Sequence, residues 1–160
     1  MSVIETIGDL SFIRLSVKDK DLYAQVLALR NILRVKRGYS YEYMIDGDDS
    51  DSAVIFLLTR NGIPVCTGRY LKTLEGYELG KLATESGSQG QGYGTLITQK
   101  VSDICQKLLQ PGEITYLIVF MDLIKMYEER IGFKTLGDPF IEFGTKWQKM
   151  VYVGADVERL

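Results

Sequence analysis

Residues 78–96, ELGKLATESGSQGQGYGTL, contain a short strand pattern that breaks into a glycine-rich loop and is followed at once by a helical pattern. Glycine occupies every second position in the centre of the loop, at Gly90, Gly92 and Gly94. Glycine permits positive φ and leaves backbone N–H groups uncovered, and the following helix directs the positive end of its dipole at the loop. The stretch therefore predicts a cradle for a phosphate or pyrophosphate group.

The spacing of these glycines narrows the kind of ligand. No Gly-Lys-Ser/Thr follows, so the loop is not a P-loop, and a dinucleotide fingerprint fails because Thr95 or Ile97 stands where glycine or alanine is needed. The pattern Gln/Arg-x-x-Gly-x-Gly/Ala does fit, from Gln89 to Gly94, and it resembles the acyl-CoA loop of the GNAT superfamily of N-acetyltransferases. From the residues alone, a glycine-containing helix start without a ligand is the alternative.

Strand and helix patterns alternate on both sides of the loop. Those before it are a strand over 10–18, a helix that Asp19 is placed to cap and Gly38 to end, and strands over 53–58, 63–71 and 77–84. The tight-turn pair Asn61-Gly62 predicts that the strands over 53–58 and 63–71 form a hairpin. Those after it are a helix that ends at Pro111-Gly112, a strand over 114–121, a helix over about 123–130 and two strands within 132–153. This order predicts an α/β chain of the mixed α+β kind, with no internal repeat or linker.

Composition and charge limit the function classes. The chain has 160 residues, 46% of them apolar, and a net charge of −2, which predicts a single domain over residues 1–160 with one core. The weakly acidic balance gives no reason to expect nucleic acid as a partner. We expect no membrane association and a cytoplasmic location, because the sequence has neither a signal-peptide pattern nor a membrane-spanning apolar run.

The residues that most often bind metals or carry out acid–base chemistry are scarce. Histidine is absent, which removes the commonest general base and zinc ligand together. The two cysteines, Cys66 on a predicted strand and Cys105 on the apolar face of a predicted helix, are typical of buried small side chains rather than of a disulfide or metal pair. We therefore expect no metal site.

An acidic segment follows the first predicted helix, with Asp46, Asp48, Asp49 and Asp51 close together. It is interpreted either as a solvated connector or as a substrate-facing loop whose negative field favours a cationic amine. The sequence leaves both interpretations open.

The resemblance to the GNAT superfamily extends along most of the chain, because that fold has the same order of elements. It implies a mixed central sheet of about seven strands flanked by helices. Tyr127 to Phe133, YEERIGF, resembles the family's Tyr-x-x-x-Gly-Phe helix end with one extra residue. Residues 137–150, GDPFIEFGTKWQKM, resemble the tail of the ElaA-like branch, in which Trp147 occupies the position of a histidine. Any role of that histidine therefore does not transfer.

The resemblance implies an N-acetyltransferase that moves an acetyl group from acetyl-CoA to a primary amine by direct attack in a ternary complex. Backbone N–H groups of the loop would hold the pyrophosphate of coenzyme A, and the end of the preceding strand would pair with its pantetheine arm. The implied CoA-binding residues are Leu82, Ala83, Thr84, Gln89, Gly90, Gln91, Gly92, Tyr93, Gly94 and Thr95.

Two residues are the catalytic candidates. Tyr127 matches the family's general acid for the departing thiolate, and aromatic packing between helix and sheet is the structural alternative. Glu78 lies five residues before Ala83, as the basic glutamate does in the histone-acetyltransferase branch, and a solvent-facing strand residue is its alternative. Glu85, Glu142 and water are the other candidates for the base.

Two other functions remain open at this stage. One is a catalytically inactive CoA-binding module that acts as a sensor or interaction partner, and the other is an acyltransferase similar to the homoserine-lactone synthases. The acceptor is expected to be a small-molecule or peptide amine. A homodimer is also considered, with the apolar residues 147–153 as the sheet edge that would form it.

Overall fold

The structure is a computed structural model that describes residues 1–38, 49, 52–142 and 144–154. Three helices and nine strands make up the described part of the chain. In order they are β1 (Ser2–Ile7), β2 (Leu10–Leu15), α1 (Lys20–Arg37), β3 (Val54–Arg60), β4 (Ile63–Lys72), β5 (Gly76–Thr84), α2 (Tyr93–Leu108), β6 (Ile114–Phe120), α3 (Ile124–Arg130), β7 (Phe133–Thr135), β8 (Phe140–Glu142) and β9 (Thr145–Tyr152).

All nine strands belong to one sheet with the order β1-β2-β3-β4-β5-β6-β9-β7, and β8 also pairs with β9. Among these strands only β5 and β6 pair in parallel, which confirms the mixed sheet. The predicted order of elements is confirmed as well, with two additional strands, β1 and β8. All six residues of β1 are exposed, so its sequence shows no alternation of apolar and polar positions.

The parallel pair is short, and its two strands then separate. Gly76, Tyr77 and Glu78 pair with residues 114–116, after which β5 continues beside β4 and β6 continues beside β9. Gly76 permits the close start of this pair, since a Cβ at its φ of 142° would stand 2.0 Å from the carbonyl oxygen of Ile114. The separation opens a cleft in the middle of the sheet.

The helices cover the two faces of the sheet. On one face, Ile97, Val101 and Cys105 of α2 pack in a cluster with Phe56 and Leu117. On the other face, Val26 and Leu29 of α1 pack with residues such as Ile55 and Leu57. The sheet around the cleft is therefore covered by α2 on one face and by α1 on the other.

Two smaller predictions are confirmed and one is half right. Cys66 and Cys105 are both buried free thiols. Gly38 ends α1 in the left-handed region at φ 72°, with its N–H donating to the carbonyl of Leu33. Asp19 is the N-cap residue of α1, but its side chain makes no capping hydrogen bond: its carboxylate accepts hydrogen bonds from the Ser16 N–H and the chain's N-terminal ammonium, each at 2.9 Å.

The expectation that residues 147–153 form a sheet edge is wrong. Strand β9 lies inside the sheet, with β6 on one side and β7 and β8 on the other. Its backbone hydrogen bonds are therefore used within the chain, and a dimer through this strand has no edge to pair with. No helix in the described part of the chain is long and apolar enough to cross a membrane.

Candidate functional site

A cavity of about 430 Å³ lies at the cleft, between the end of β5, the glycine-rich loop, the start of α2 and the helix α3. It brings together nine of the ten expected CoA-binding residues, and it also contains Tyr127. Those nine are Leu82, Ala83, Thr84, Gln89, Gly90, Gly92, Tyr93, Gly94 and Thr95. Gln91 does not line the cavity, and neither does Glu78.

The loop has the backbone geometry that its glycines predict. Gly90 and Gly92 both have φ of 84°, a region that L side chains rarely adopt, and Gly92 precedes the first turn of α2. No described side chain caps that helix, so its first N–H groups are available to an anion. Gly94 lies close to the strand, because a Cβ there would be 3.3 Å from the hydroxyl oxygen of Thr84. The loop therefore fits a phosphate group approaching the start of α2.

Side-chain hydrogen bonds join the loop to the end of β5 and support the first turn of α2. The amide of Gln89 donates to the carbonyl of Thr84 at 3.2 Å, and the Thr98 hydroxyl donates to the carbonyl of Gly94 at 2.7 Å. The sulfur of Cys66 is 3.4 Å from the hydroxyl oxygen of Thr84. Burial raises the pKa of the Cys66 thiol to about 11, so it stays protonated near neutral pH and is a poor nucleophile.

A β-bulge sits in β5 just before the cavity. Gly80 pairs with Arg69 and Ala83 with Thr67, so two residues of β5 face one residue of β4. One of these two is Lys81, whose φ is 51°. The bulge redirects the strand immediately before Ala83 and Thr84, and no pattern in the sequence predicted it.

Tyr127 faces the cavity from α3. Its side chain is buried and packs edge-on against Phe133, with ring centroids 5.7 Å apart at 90°. Four residues separate Tyr127 from Gly132; the last of them, Ile131, is buried and follows the end of α3, and Gly132 donates its N–H to the carbonyl of Tyr127. The longer segment is thus accommodated beyond the helix, and Tyr127 both packs against the sheet and lines the cavity.

Glu78 lies on the opposite face of the sheet from Tyr127. Its neighbours along β5, Tyr77 and Leu79, pack in the cluster under α2, so the side chain between them projects to the α1 face. Glu78 is half-buried and is the last residue of β5 to pair with β6, opposite Tyr116. The pKa of Tyr116 is raised to about 12, chiefly by burial, with the charge of Glu78 contributing. Glu78 therefore stands where the two strands part.

The other candidates for the base lie elsewhere. The Glu85 carboxylate accepts a hydrogen bond from the Ser88 hydroxyl at 3.0 Å. Glu142 is exposed on β8, and its carbonyl oxygen accepts the indole N–H of Trp147 at 2.8 Å. Trp147 is 4% exposed and stacks on Phe120 with ring centroids 4.7 Å apart, so the residue in the histidine position is a packed aromatic side chain.

Asp49 is the described member of the acidic segment; Asp46, Asp48 and Asp51 lie outside the described residues. Its carboxylate accepts hydrogen bonds from Arg30, from Arg69 at 2.8 Å and from the Tyr23 hydroxyl at 2.8 Å. Burial alone would raise the pKa of Asp49, but these donors and the charge of Arg30 outweigh it and hold the pKa at about 2. Asp49 is therefore an internal ion-pair partner and offers no free negative charge to a substrate.

Sequence reasoning missed six residues of the cavity: Cys66, Ser88, Thr98, Leu123, Met126 and Arg130. Helical spacing offered a signal for Leu123 and Arg130, because they lie four positions before and three positions after Tyr127 and therefore share its face of a helix. Cys66 comes from the neighbouring strand, opposite Thr84, and only the strand register reveals it. In the described part of the chain, no group of acidic, cysteine or histidine side chains could hold a metal ion.

No protein-family model and no curated protein sequence matches the chain. Solved structures do match it over nearly its whole length. ElaA of Escherichia coli aligns with a TM-score of 0.76 and 23% identity over 89% of this chain and 99% of that chain. An acyl-CoA N-acyltransferase from Pseudomonas aeruginosa aligns with a TM-score of 0.75 and 22% identity over 90% and 99%. The ribosomal-protein-S18-alanine N-acetyltransferase of E. coli aligns with a TM-score of 0.66 and 18% identity over 89% and 92%.

These similarities agree with the geometry of the cleft and loop. They establish the architecture of the chain. The chain therefore has the fold of the GNAT N-acetyltransferases, with ElaA among its structural neighbours.

Proposed function

We propose that the chain is an N-acyltransferase that moves an acetyl group from acetyl-CoA to a primary amine, by direct attack in a ternary complex. One observation carries the proposal: the cavity joins the separated end of β5, the glycine-rich loop and the start of α2 in one continuous surface. The solved structures of similar fold include proteins named as acyl-CoA N-acyltransferase and N-acetyltransferase, which supports the same reaction class.

The residues around the cavity suit a coenzyme A thioester. The loop from Gln89 to Thr95 offers backbone N–H groups and the positive end of α2 to a pyrophosphate. Beyond Glu78, β5 no longer pairs with β6, so the Leu82–Thr84 segment has one side available to a ligand that pairs like a strand. Acetyl-CoA, when bound, supplies an activated acyl group and a thiolate leaving group.

Tyr127 is the proposed general acid. A phenol has an ordinary pKa of about 10, so it is protonated near neutral pH and has a proton to give to the departing thiolate. The Tyr127 ring lines the cavity beside Ala83 and Thr84, on the face of the sheet that α2 and α3 cover. Packing against Phe133 orients the ring, so the structural and catalytic interpretations of Tyr127 are compatible.

Glu78 is the proposed general base. Its position implies that the base acts on one face of the sheet and the general acid on the other. It stands at the point where β5 and β6 part, on the α1 face, while Tyr127 stands on the α2 face. An amine that approaches from the α1 side can give its proton to Glu78, directly or through water, while Tyr127 protonates the leaving group on the other side. This arrangement favours a ternary complex, because the two substrates reach the cleft from opposite faces.

The proposal is tested by measuring free thiol released from acetyl-CoA in the presence and absence of a panel of amines, including polyamines, an aminoglycoside and a lysine peptide. An N-acetyltransferase releases thiol only when an acceptor amine is added. Saturable acetyl-CoA binding without amine-dependent release would instead favour the inactive CoA-binding module. With an active acceptor, Glu78→Gln should change the acidic limb of the pH–rate profile, whereas an unchanged profile would move the base to Glu85, Glu142 or water.

A further inference from the structure

Among the described residues that line the cavity, Arg130 alone has a charged side chain. The remaining fifteen side chains or glycines of the lining are apolar or neutral and polar. Arg130 is the last residue of α3, three positions after Tyr127, so the same helix face carries both side chains to the cavity. The wall opposite the loop thus ends in a guanidinium group.

This guanidinium is not committed to a carboxylate in the described part of the chain. Other cations around the cavity and on the same helix are paired. Lys125 of α3 lies 3.9 Å from Glu129, and Arg60 donates to Asp9 at 2.9 Å and to the Tyr93 hydroxyl at 2.8 Å. Within the described ranges no such ion pair holds Arg130, which is exposed at the end of α3. Its positive charge therefore remains available to a ligand in the cavity.

The proposed donor is strongly anionic, since coenzyme A carries a pyrophosphate and a 3′-phosphate. The loop N–H groups and the dipole of α2 offer only partial charges. A guanidinium adds a full positive charge and a planar set of donors that matches phosphate oxygens. We propose that Arg130 binds a phosphate group of the coenzyme A donor; this inference rests on the proposed function and adds a binding residue to it.

A structural interpretation of Arg130 also exists, because a cation in the last turn of a helix stabilises the helix dipole. Arg130→Lys keeps a cation in that last turn, and Lys125, in the first turn of α3, is the matched control for the loss of one positive charge from the helix. Both residues lie on α3, both are exposed, and each substitution by glutamine removes one positive charge from the same helix. Only Arg130 lines the cavity, so a specific contact with phosphate separates the two variants.

The experiment is calorimetric titration of CoA and of 3′-dephospho-CoA into the parent chain and into Arg130→Gln, Arg130→Lys and Lys125→Gln, at low and high salt. We expect Arg130→Gln to weaken CoA binding about 10- to 100-fold, the range of a charge-assisted hydrogen bond. Arg130→Lys should recover part of the affinity, and Lys125→Gln should bind as the parent does. High salt should narrow the difference between the parent and Arg130→Gln.

The second ligand identifies which phosphate is bound. An Arg130→Gln effect that disappears with 3′-dephospho-CoA supports a contact with the 3′-phosphate, and an effect that persists supports a contact with the pyrophosphate. Parent-like CoA affinity in Arg130→Gln, or an equal loss in Lys125→Gln, would overturn this inference alone. Absence of CoA binding by the parent chain would instead overturn the proposed function on which the inference rests.

Discussion

Single residues set both the charge balance of the interior and the chemistry of the cleft. Asp49 shows how one carboxylate is fixed by its surroundings, since Arg30 is fully buried and Arg69 is 3% exposed, and both donate to it. Two buried guanidinium groups would lose this partner if the carboxylate were neutralised. The aspartate that the sequence placed in a candidate substrate loop is therefore a structural residue.

Asp49→Asn should lower the free energy of unfolding by about 3 kcal/mol, because removing one partner leaves buried charge uncompensated. Urea denaturation monitored by circular dichroism measures this change. The matched control is Asp9→Asn, whose partner Arg60 is half exposed, and which should cost about 0.5 kcal/mol or less. Equal losses in the two variants would show that the Asp49 pairs contribute no more than a surface pair.

The same residue gives a pH signature. The folded pKa of Asp49, about 2, lies below its ordinary value of 3.8, so its contribution to stability is present above about pH 4 and is lost as the pH falls toward 2. Asp49→Asn lacks that titration. The stability difference between parent and variant should therefore shrink across this window, and a constant difference would contradict the low pKa.

Tyr127 carries the proposed proton transfer to the leaving group. Tyr127→Phe keeps the ring that packs against Phe133 and removes only the hydroxyl, so kcat should fall about 10-fold or more while acetyl-CoA affinity stays close to that of the parent. Amine-dependent thiol release and calorimetry measure the two quantities. Unchanged turnover would assign Tyr127 to packing alone.

At the scale of elements, the parting of β5 and β6 creates the cavity, and Gly76 holds the two strands together just before they part. A Cβ at this position would collide with the backbone of Ile114 and would also face an unfavourable positive φ. The β-bulge at Lys81 then redirects β5 toward the loop. The cleft thus depends on two local backbone features of one strand.

Gly76→Ala should destabilise the chain by about 2–5 kcal/mol, the sum of left-handed strain and a forced backbone shift. Gly8→Ala is the control, because Gly8 also has positive φ, 59°, but has no atom within 4 Å of a Cβ position, so only about 1–2 kcal/mol of strain is expected. Urea denaturation of both variants measures the difference. A Gly76→Ala cost no larger than that of Gly8→Ala would show that β6 moves aside easily.

Elements with a strong local signal were predictable, and those defined by distant partners were not. The helix after the loop and the hairpin at Asn61-Gly62 follow from periodicity and turn chemistry, and both are present. Strand β1 is fully exposed and β8 has three residues, so neither carries a burial pattern. The interior place of β9 depends on pairing with β6, β7 and β8, which the apolar stretch 147–153 does not reveal.

At the scale of the whole molecule, the sequence named most residues of the cavity because ten of the sixteen lining residues lie in the continuous segment 82–95, and nine of those ten were expected. The rest come from other elements, such as Cys66 on β4 and Arg130 on α3, and only the folded chain brings them to the same surface. The opposite placement of Glu78 and Tyr127 is likewise a property of the whole sheet. It follows from the alternation of side chains along β5 together with the helices packed on each face.

The proposed function depends on binding of the acetyl-CoA phosphates by the loop and the start of α2. Calorimetric titration of acetyl-CoA into the parent chain, Thr95→Glu and Thr95→Gln tests it most directly. Thr95 lines the cavity in the first turn of α2, where a glutamate suits the helix dipole and leaves folding intact but repels an anionic ligand.

We expect saturable binding to the parent and to Thr95→Gln, with affinity at least about 10-fold weaker in Thr95→Glu, the scale of one charged contact. Equal affinity in all three chains would place the ligand away from the loop. No saturable binding by the parent chain would contradict the acetyl-CoA-dependent function altogether.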